Sequence, residues 1–301
     1  MAGRTAEEEV RTTSGRRRAA KRLIAAIWVV VCAASLAIRG QPTGEPAPVE
    51  TQRELARILE RLANVAELYL DNVLRFTCDE TIHFTGRGAP VVHRFQYLYR
   101  YSEDDASLRD FRRTRSGKTA LGSLAGFGLP AYLERAYSWV FIFLREVQPR
   151  YRFRLDGEDD VLGRPGHRVS FAAIPPYEPG VNDWFGTAWV DRDGYQLLVV
   201  EAWRLDDRHA RRLIEREATV ERGEGKASFE TSIYRTEFDM VKNGMRFPGR
   251  VTIERTAHRF QGGSTRARVV PLWRVDQIYK RYRFFGVRTE QEIQRLVQRS
   301  E

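Results

Sequence analysis

The chain is poor in the residues that most often announce chemistry, with two cysteines and five histidines in 301 residues. Cys32 falls within an apolar leader and Cys78 stands alone beyond it, so no intramolecular disulfide can form after export and stability has to come from packing. Cys78 reads as a small apolar residue of a strand. His83, His93, His167, His209 and His258 never fall at i, i+3 or i+4, so no helix face aims two imidazoles at one metal.

Catalytic motifs are missing as well. Gly122-Ser123-Leu124-Ala125-Gly126 has the wrong spacing for a nucleophile elbow. Gly117-Lys118-Thr119 imitates the end of a phosphate loop, but Arg112 occupies the place of its first glycine. Asp191-Arg192-Asp193-Gly194 starts like a calcium loop, yet no third acidic ligand or distal glutamate follows, and a hairpin turn accounts for it. The carboxylates at Glu158, Asp159 and Asp160, and at Asp206 and Asp207, read as solvated loop charges. The expectation is a noncatalytic protein with no catalytic residue, metal or cofactor.

Charge of one sign is in excess, at +10, but part of it sits at the N-terminus. Arg4, Arg11, Arg16, Arg17, Arg18, Lys21 and Arg22 face only Glu7, Glu8 and Glu9 within residues 1–37, which leaves the remainder mildly basic. Its Lys and Arg are scattered among acids, which excludes a nucleic-acid tract and favours an anionic membrane surface as an electrostatic partner. The basic run precedes an uncharged stretch from Leu23 to Ile38 that ends near Ser35-Leu36-Ala37, the three-part pattern of a secretory signal. Residues 1–37 are therefore expected to export the chain to the periplasm or envelope, cleaved or retained as a membrane tether. Residues 38–50, with Pro42, Pro46 and Pro48, read as a linker, and 51–301 as one domain.

Within that domain, Leu55, Ile58, Leu59, Leu62, Val65 and Ala66 recur at helical spacing, predicting a helix near 51–70. From about Val73 the pattern alternates. In Val91–Tyr101, His93, Phe95, Tyr97, Tyr99 and Tyr101 share one face, while Arg94, Gln96 and Arg100 share the other. Strand pairs are predicted at Tyr151–Leu162 with His167–Ala173, Phe185–Asp191 with Tyr195–Arg204, and Phe229–Met240 with Met245–Thr256, each around a glycine-containing turn. Ala267–Phe285 reads as a long last strand, Thr289–Glu292 as a capping box for a helix near 289–299, and Leu205–Arg222 as a charged excursion.

A second helix is predicted at 130–147, where Leu133, Ala136, Tyr137, Val140, Phe141, Leu144 and Val147 form a stripe widened by Trp139, Ile142 and Phe143. Such a segment is either plain core or a lid on an apolar cavity. The aromatic residues offer the same choice: Phe95, Tyr97, Tyr99, Trp139, Phe141, Phe143, Trp184, Trp189 and Trp203 either line a ligand pocket or fill a core. In the alternative, a structural or interaction module, a basic outer surface with Arg112, Arg113 and Arg115 docks on an envelope protein or anionic headgroups.

The order of these elements resembles the LolA/LolB-like superfamily of envelope proteins. The run Phe185-Gly186-Thr187-Ala188-Trp189-Val190-Asp191-Arg192-Asp193-Gly194-Tyr195-Gln196-Leu197-Leu198-Val199-Val200-Glu201 and the turn Asn243-Gly244-Met245-Arg246-Phe247-Pro248 are similar to its strand-turn-strand units. The resemblance spans most of residues 50–285; Leu205–Arg222 is a departure from it. It implies a mostly β (α+β) fold, a curved antiparallel sheet or half-open β-barrel with helices plugging its concave face, and a lipid or lipoprotein acyl chain as partner.

Overall fold

The computed structural model describes residues 49–72, 75–102, 107–121, 124–130, 133, 136–178, 182–205, 228–259 and 268–284. The expected signal segment, nearly all of the linker, the charged excursion beyond Leu205 and the helix near 289–299 lie outside the described residues.

The first helix, α1 (Val49–Asn72), starts two residues inside the expected linker. Its apolar stripe sets its orientation: Ile58, Leu62, Val65, Ala66 and Tyr69 are buried while Arg53, Arg57 and Glu60 face solvent. Full burial of an Ile or Leu is worth about 1.5–3 kcal/mol, so this face, rather than helix propensity, holds α1 in place.

Among the described residues thirteen strands follow: β1 (Arg75–Thr85), β2 (Val91–Ser102), β3 (Ser107–Arg113), β4 (Thr119–Leu121), β5 (Tyr151–Val161), β6 (Arg164–Ala173), β7 (Trp184–Asp191), β8 (Leu197–Arg204), β9 (Ser228–Glu237), β10 (Met240–Lys242), β11 (Met245–Phe247), β12 (Arg250–Arg259) and β13 (Arg268–Phe284). Eleven of them form one antiparallel sheet in the order β4-β3-β2-β1-β13-β12-β9-β8-β7-β6-β5, with β4 and β5 as its edges, so the sheet does not close. The fold is mostly β, as expected. Register shifts at Thr77/Asp79, Leu155/Gly157, Trp189/Val190 and Arg255/Thr256 are bulges, and bulges bend and twist a sheet. The resulting concave face wraps α1: Glu54 lies 3.8 Å from His167 of β6, and the Tyr69 ring stands 5.5 Å from that of Phe247.

Turn chemistry sets the local register. Leu162-Gly163 and Asn243-Gly244 have positive φ at both positions, the backbone that a two-residue hairpin requires. The Asn243 turn joins the short ribbon β10–β11, while β9 and β12, split from that ribbon at Phe238 and Pro248, pair directly with each other. The β7–β8 turn departs from the Asp-Gly pattern: the left-handed residue is Tyr195, and β8 starts only at Leu197. Asp191 organises that turn, with its Oδ1 accepting the backbone N–H groups of Asp193 at 3.0 Å and Gly194 at 3.2 Å.

From Ala136 to Phe143 the apolar segment predicted at 130–147 is not the expected α-helix. Its described residues hold a 3₁₀ helix over Ala136–Phe143, and a further 3₁₀ turn spans Gln148–Arg150. Trp139, Val140, Phe141, Ile142 and Phe143 are aromatic or, in part, β-branched, a run of low helix propensity that is too short to be helical alone, and packing decides its geometry.

Candidate functional site

The concave face can be followed across the sheet by its paired residues. One row runs through Phe171, Gly186, Ala202, Tyr234, Ile253, Val275, Phe84 and Val91, and a parallel row through Ala188, Val200, Thr236, Val251, Gln277, Ile82 and His93. Gly186 keeps the wall low between two neighbours. A Cβ there would stand 2.8 Å from the Phe171 ring and 2.9 Å from the Ala202 Cα, closer than packing allows.

Over this wall lies the 3₁₀ helix Ala136–Phe143. Trp139 meets Trp184 edge-on at 4.7 Å, Trp184 meets Tyr234 at 5.1 Å, and Phe143 lies 5.6 Å from Phe153 of β5. Trp139 Nε1–H donates to Thr236 Oγ1 at 2.9 Å, a polar tie between cover and sheet. Gln148 fastens the end of the cover by donating to the Leu59 and Phe143 carbonyls, both at 2.8 Å. On the other half of the wall Phe127, on the 3₁₀ turn Ala125–Phe127, packs on Phe95 at 5.2 Å and accepts a hydrogen bond from His93 Nε2–H at 2.8 Å.

The aromatic residues singled out in the sequence separate into groups. Phe95, Tyr97, Tyr99 and Trp184 are buried on the concave side of their strands, and Trp139 and Phe143 are buried in the cover. Phe141, also in the cover, is half-buried. Trp189 and Trp203 do not join them. Trp189 pairs with Arg168 and Val199, and Trp203 with Phe185, so both lie on the opposite face, and Trp189 Nε1–H donates to Asp159 at 3.0 Å. Parity explains this: Trp184 and Trp189 are five residues apart on one strand, and an odd separation reverses the face.

A polar cluster interrupts the greasy wall. Glu80 of β1, Arg112 of β3 and Gln277 of β13 converge from three strands, all at or below 3% exposure. Arg112 donates to Glu80 through Nε at 2.6 Å and Nη2 at 3.0 Å, and to Asp110 through Nη1 at 2.8 Å, with its guanidinium 4.7 Å over the Tyr97 ring. Gln277 Nε2 donates to Glu80 at 3.1 Å and to the Tyr279 hydroxyl at 2.8 Å. Burial pulls the Arg112 pKa down, but the adjoining Glu80 carboxylate outweighs it and holds the guanidinium firmly charged. Arg112 is therefore no part of a basic outer surface, whereas Arg113 and Arg115 are exposed. Burial, reinforced by Glu80 and Asp79, pushes the neighbouring Cys78 thiol upward, which keeps it protonated and inert. Sequence reading missed this cluster, although Glu80 standing in the alternating series Phe76, Cys78, Glu80, Ile82 was a signal for it.

Among the described residues no group of three or more His, Cys, Asp or Glu side chains could hold a metal ion. The concave side is thus mostly apolar and, among the described residues, packed against the cover and α1, with the Glu80–Arg112–Gln277 cluster set into it.

No protein-family model and no curated protein matches the chain. Its fold is similar to solved structures of low identity. These include a DUF1329 family protein from Desulfovibrio piger, with 9% identity, 79% of this chain and 96% of that one covered, and a TM-score of 0.42. A LolA superfamily protein from Nitrosomonas europaea has 13% identity, 77% and 94% coverage, and a TM-score of 0.36. A putative outer membrane lipoprotein-sorting protein domain from Vibrio parahaemolyticus has 10% identity, 78% and 97% coverage, and a TM-score of 0.39. The likeness to LolA-type proteins is one of fold alone.

Proposed function

We propose that this is an exported, noncatalytic binding protein of the cell envelope that shelters a lipid, a lipoprotein acyl chain or a similar apolar ligand on the concave face of its sheet. The observation that carries the reading is the nature of the cover. A mostly apolar wall is covered by an eight-residue 3₁₀ helix, Ala136–Phe143, in which every side chain but that of Ser138 is apolar or aromatic. A 3₁₀ helix has poorer hydrogen-bond geometry than an α-helix and gives way more easily. Lifting it exchanges Trp139 and Phe143 for a hydrocarbon guest, which gains about 0.8 kcal/mol for each methylene taken out of water. The basic leader and apolar stretch of residues 1–38 supply the export part of the reading.

Native mass spectrometry of protein purified without detergent, with titration of a fluorescent fatty acid, tests it. Co-purifying lipid or saturable binding is expected; neither lipid nor binding would refute it.

A second reading draws on the burial of Phe95, Tyr97, Tyr99, Trp139, Phe143 and Trp184 in the protein's own core. If that packing is permanent, the protein is an interaction module that docks on an envelope partner or an anionic surface. Cross-linking in cells that recovers one protein partner without lipid favours it.

A further inference from the structure

Gln277 carries an atom that the polar cluster leaves over. Glu80 is a carboxylate acceptor, so the Gln277 end facing it at 3.1 Å is the amide nitrogen, and the amide oxygen is turned elsewhere. That Oε1 is fully buried, the residue being 0% exposed, and it has no hydrogen-bond partner among the described residues. A buried acceptor left unpaired is costly, which makes it a strong partner for any donor that reaches it.

The register shows where such a donor would come from. Val251 is paired with Thr236 on one side and Gln277 on the other, so Thr236 and Gln277 share one row of the concave face about 10 Å apart at the usual strand spacing. Thr236 is the residue that Trp139 of the cover caps. A guest that takes the place of the cover and runs along this row crosses apolar Val251 to reach Gln277. The charges behind Gln277 decide the sign of its end. Glu80 and Asp110 are two carboxylates that share the single guanidinium of Arg112, so the cluster presents more negative than positive charge and disfavours an anion.

Resting on the binding role proposed above, we infer that Gln277 is the head-group acceptor of that site, and that the site prefers chains ending in a non-anionic hydrogen-bond donor, a hydroxyl or an amine, over chains ending in a carboxylate or an ester. An alcohol or ammonium end donates to Oε1. A carboxylate meets Oε1 and Glu80 as three acceptors together, and an ester offers no donor.

The experiment displaces a bound fluorescent fatty-acid probe from the full chain with lauryl alcohol, laurylamine, laurate and methyl laurate, which share one hydrocarbon tail. The alcohol and amine should compete about tenfold better than the ester, the worth of one good hydrogen bond, and better again than laurate. In Gln277→Met, of similar volume, the alcohol should fall to the level of the ester while the tail still binds. Equal competition by all four on the native chain would overturn the inference and leave the binding role standing, since Gln277 would then hold an internal water only. A preference that persists unchanged in Gln277→Met would overturn it too. Failure of the probe and all four compounds to bind would remove both the binding role and the inference. If Gln277→Met does not fold, the series on the native chain stands as the test by itself.

Discussion

Replacing Arg112 by Met is the most informative single perturbation of the core. Arg112 is 3% exposed, neutralises Glu80 through two short hydrogen bonds and reaches Asp110 through a third. Met has comparable length and fills the space beside Tyr97, so the change removes charge with little change in volume. Glu80 and Asp110 then lose their guanidinium in a wall lined by Phe76, Cys78, Ile82, Phe95 and Tyr97, and Glu80 keeps the neutral donor Gln277. Removing one partner of a buried pair costs about 3–5 kcal/mol, a large fraction of a typical domain stability of about 5–15 kcal/mol. Urea unfolding at pH 7, followed by tryptophan fluorescence, should show a lower midpoint with an unchanged slope. The triple variant Arg112→Met/Glu80→Gln/Asp110→Asn removes the stranded charges as well and should recover most of the loss, because the desolvation cost leaves with them. An Arg112→Met protein within about 1 kcal/mol of the native one, or a triple variant no more stable than the single, would refute the view that uncompensated buried charge is what the guanidinium prevents.

Three further outcomes follow from individual contacts. Gly186→Ala drives a methyl group into the Ala202 backbone and the Phe171 ring, and thermal denaturation should show a loss of at least about 1–3 kcal/mol, whereas Ala188→Gly on the same strand should cost less. Trp139→Phe deletes the bond to Thr236 and loosens the cover, so stopped-flow association of a fluorescent fatty acid should quicken several-fold; an unchanged rate would mean that the cover does not gate entry. Burial raises the Asp191 pKa, but the N–H groups of Gly194 and Asp193 and the Arg164 guanidinium outweigh it and hold the carboxyl below its usual range. Its stabilisation is therefore present above the unfolded value of about 3.9 and is lost as pH falls through the lower folded one. Asp191→Asn should be less stable than the native chain near neutrality, and denaturant melts at falling pH should show the gap closing as the pH drops below the unfolded value.

Much of the local structure was legible before any coordinates. The α1 stripe, the alternation of Phe95, Tyr97 and Tyr99, and the hairpin at Asn243-Gly244 are written in patterns that span a few residues, where period and φ preference act directly. Less legible was anything that depends on who lies across from whom. Trp203 is as aromatic as Trp184, and the register of β8 on β7, which sets it opposite Phe185, puts it on the outer face. Arg112 sat beside Arg113 and Arg115 in a run that looked solvated, until the pairing of Tyr97 with Arg112 turned one of the three inward.

The sequence by itself determined a basic run ahead of an apolar stretch, a β meander, one amphipathic helix and the absence of familiar catalytic motifs, because each of these is a property of neighbours along the chain. Tertiary structure decided the rest. It joined β1 to β13 across most of the chain's length, brought Glu80, Arg112 and Gln277 from three strands into one buried cluster, and wound Ala136–Phe143 into a 3₁₀ cover where periodicity predicted an α-helix. The physical reason is that burial and pairing energies are set by residues far apart in sequence, and over a short apolar segment they exceed the few tenths of a kcal/mol per residue, roughly, by which local propensity expresses a preference.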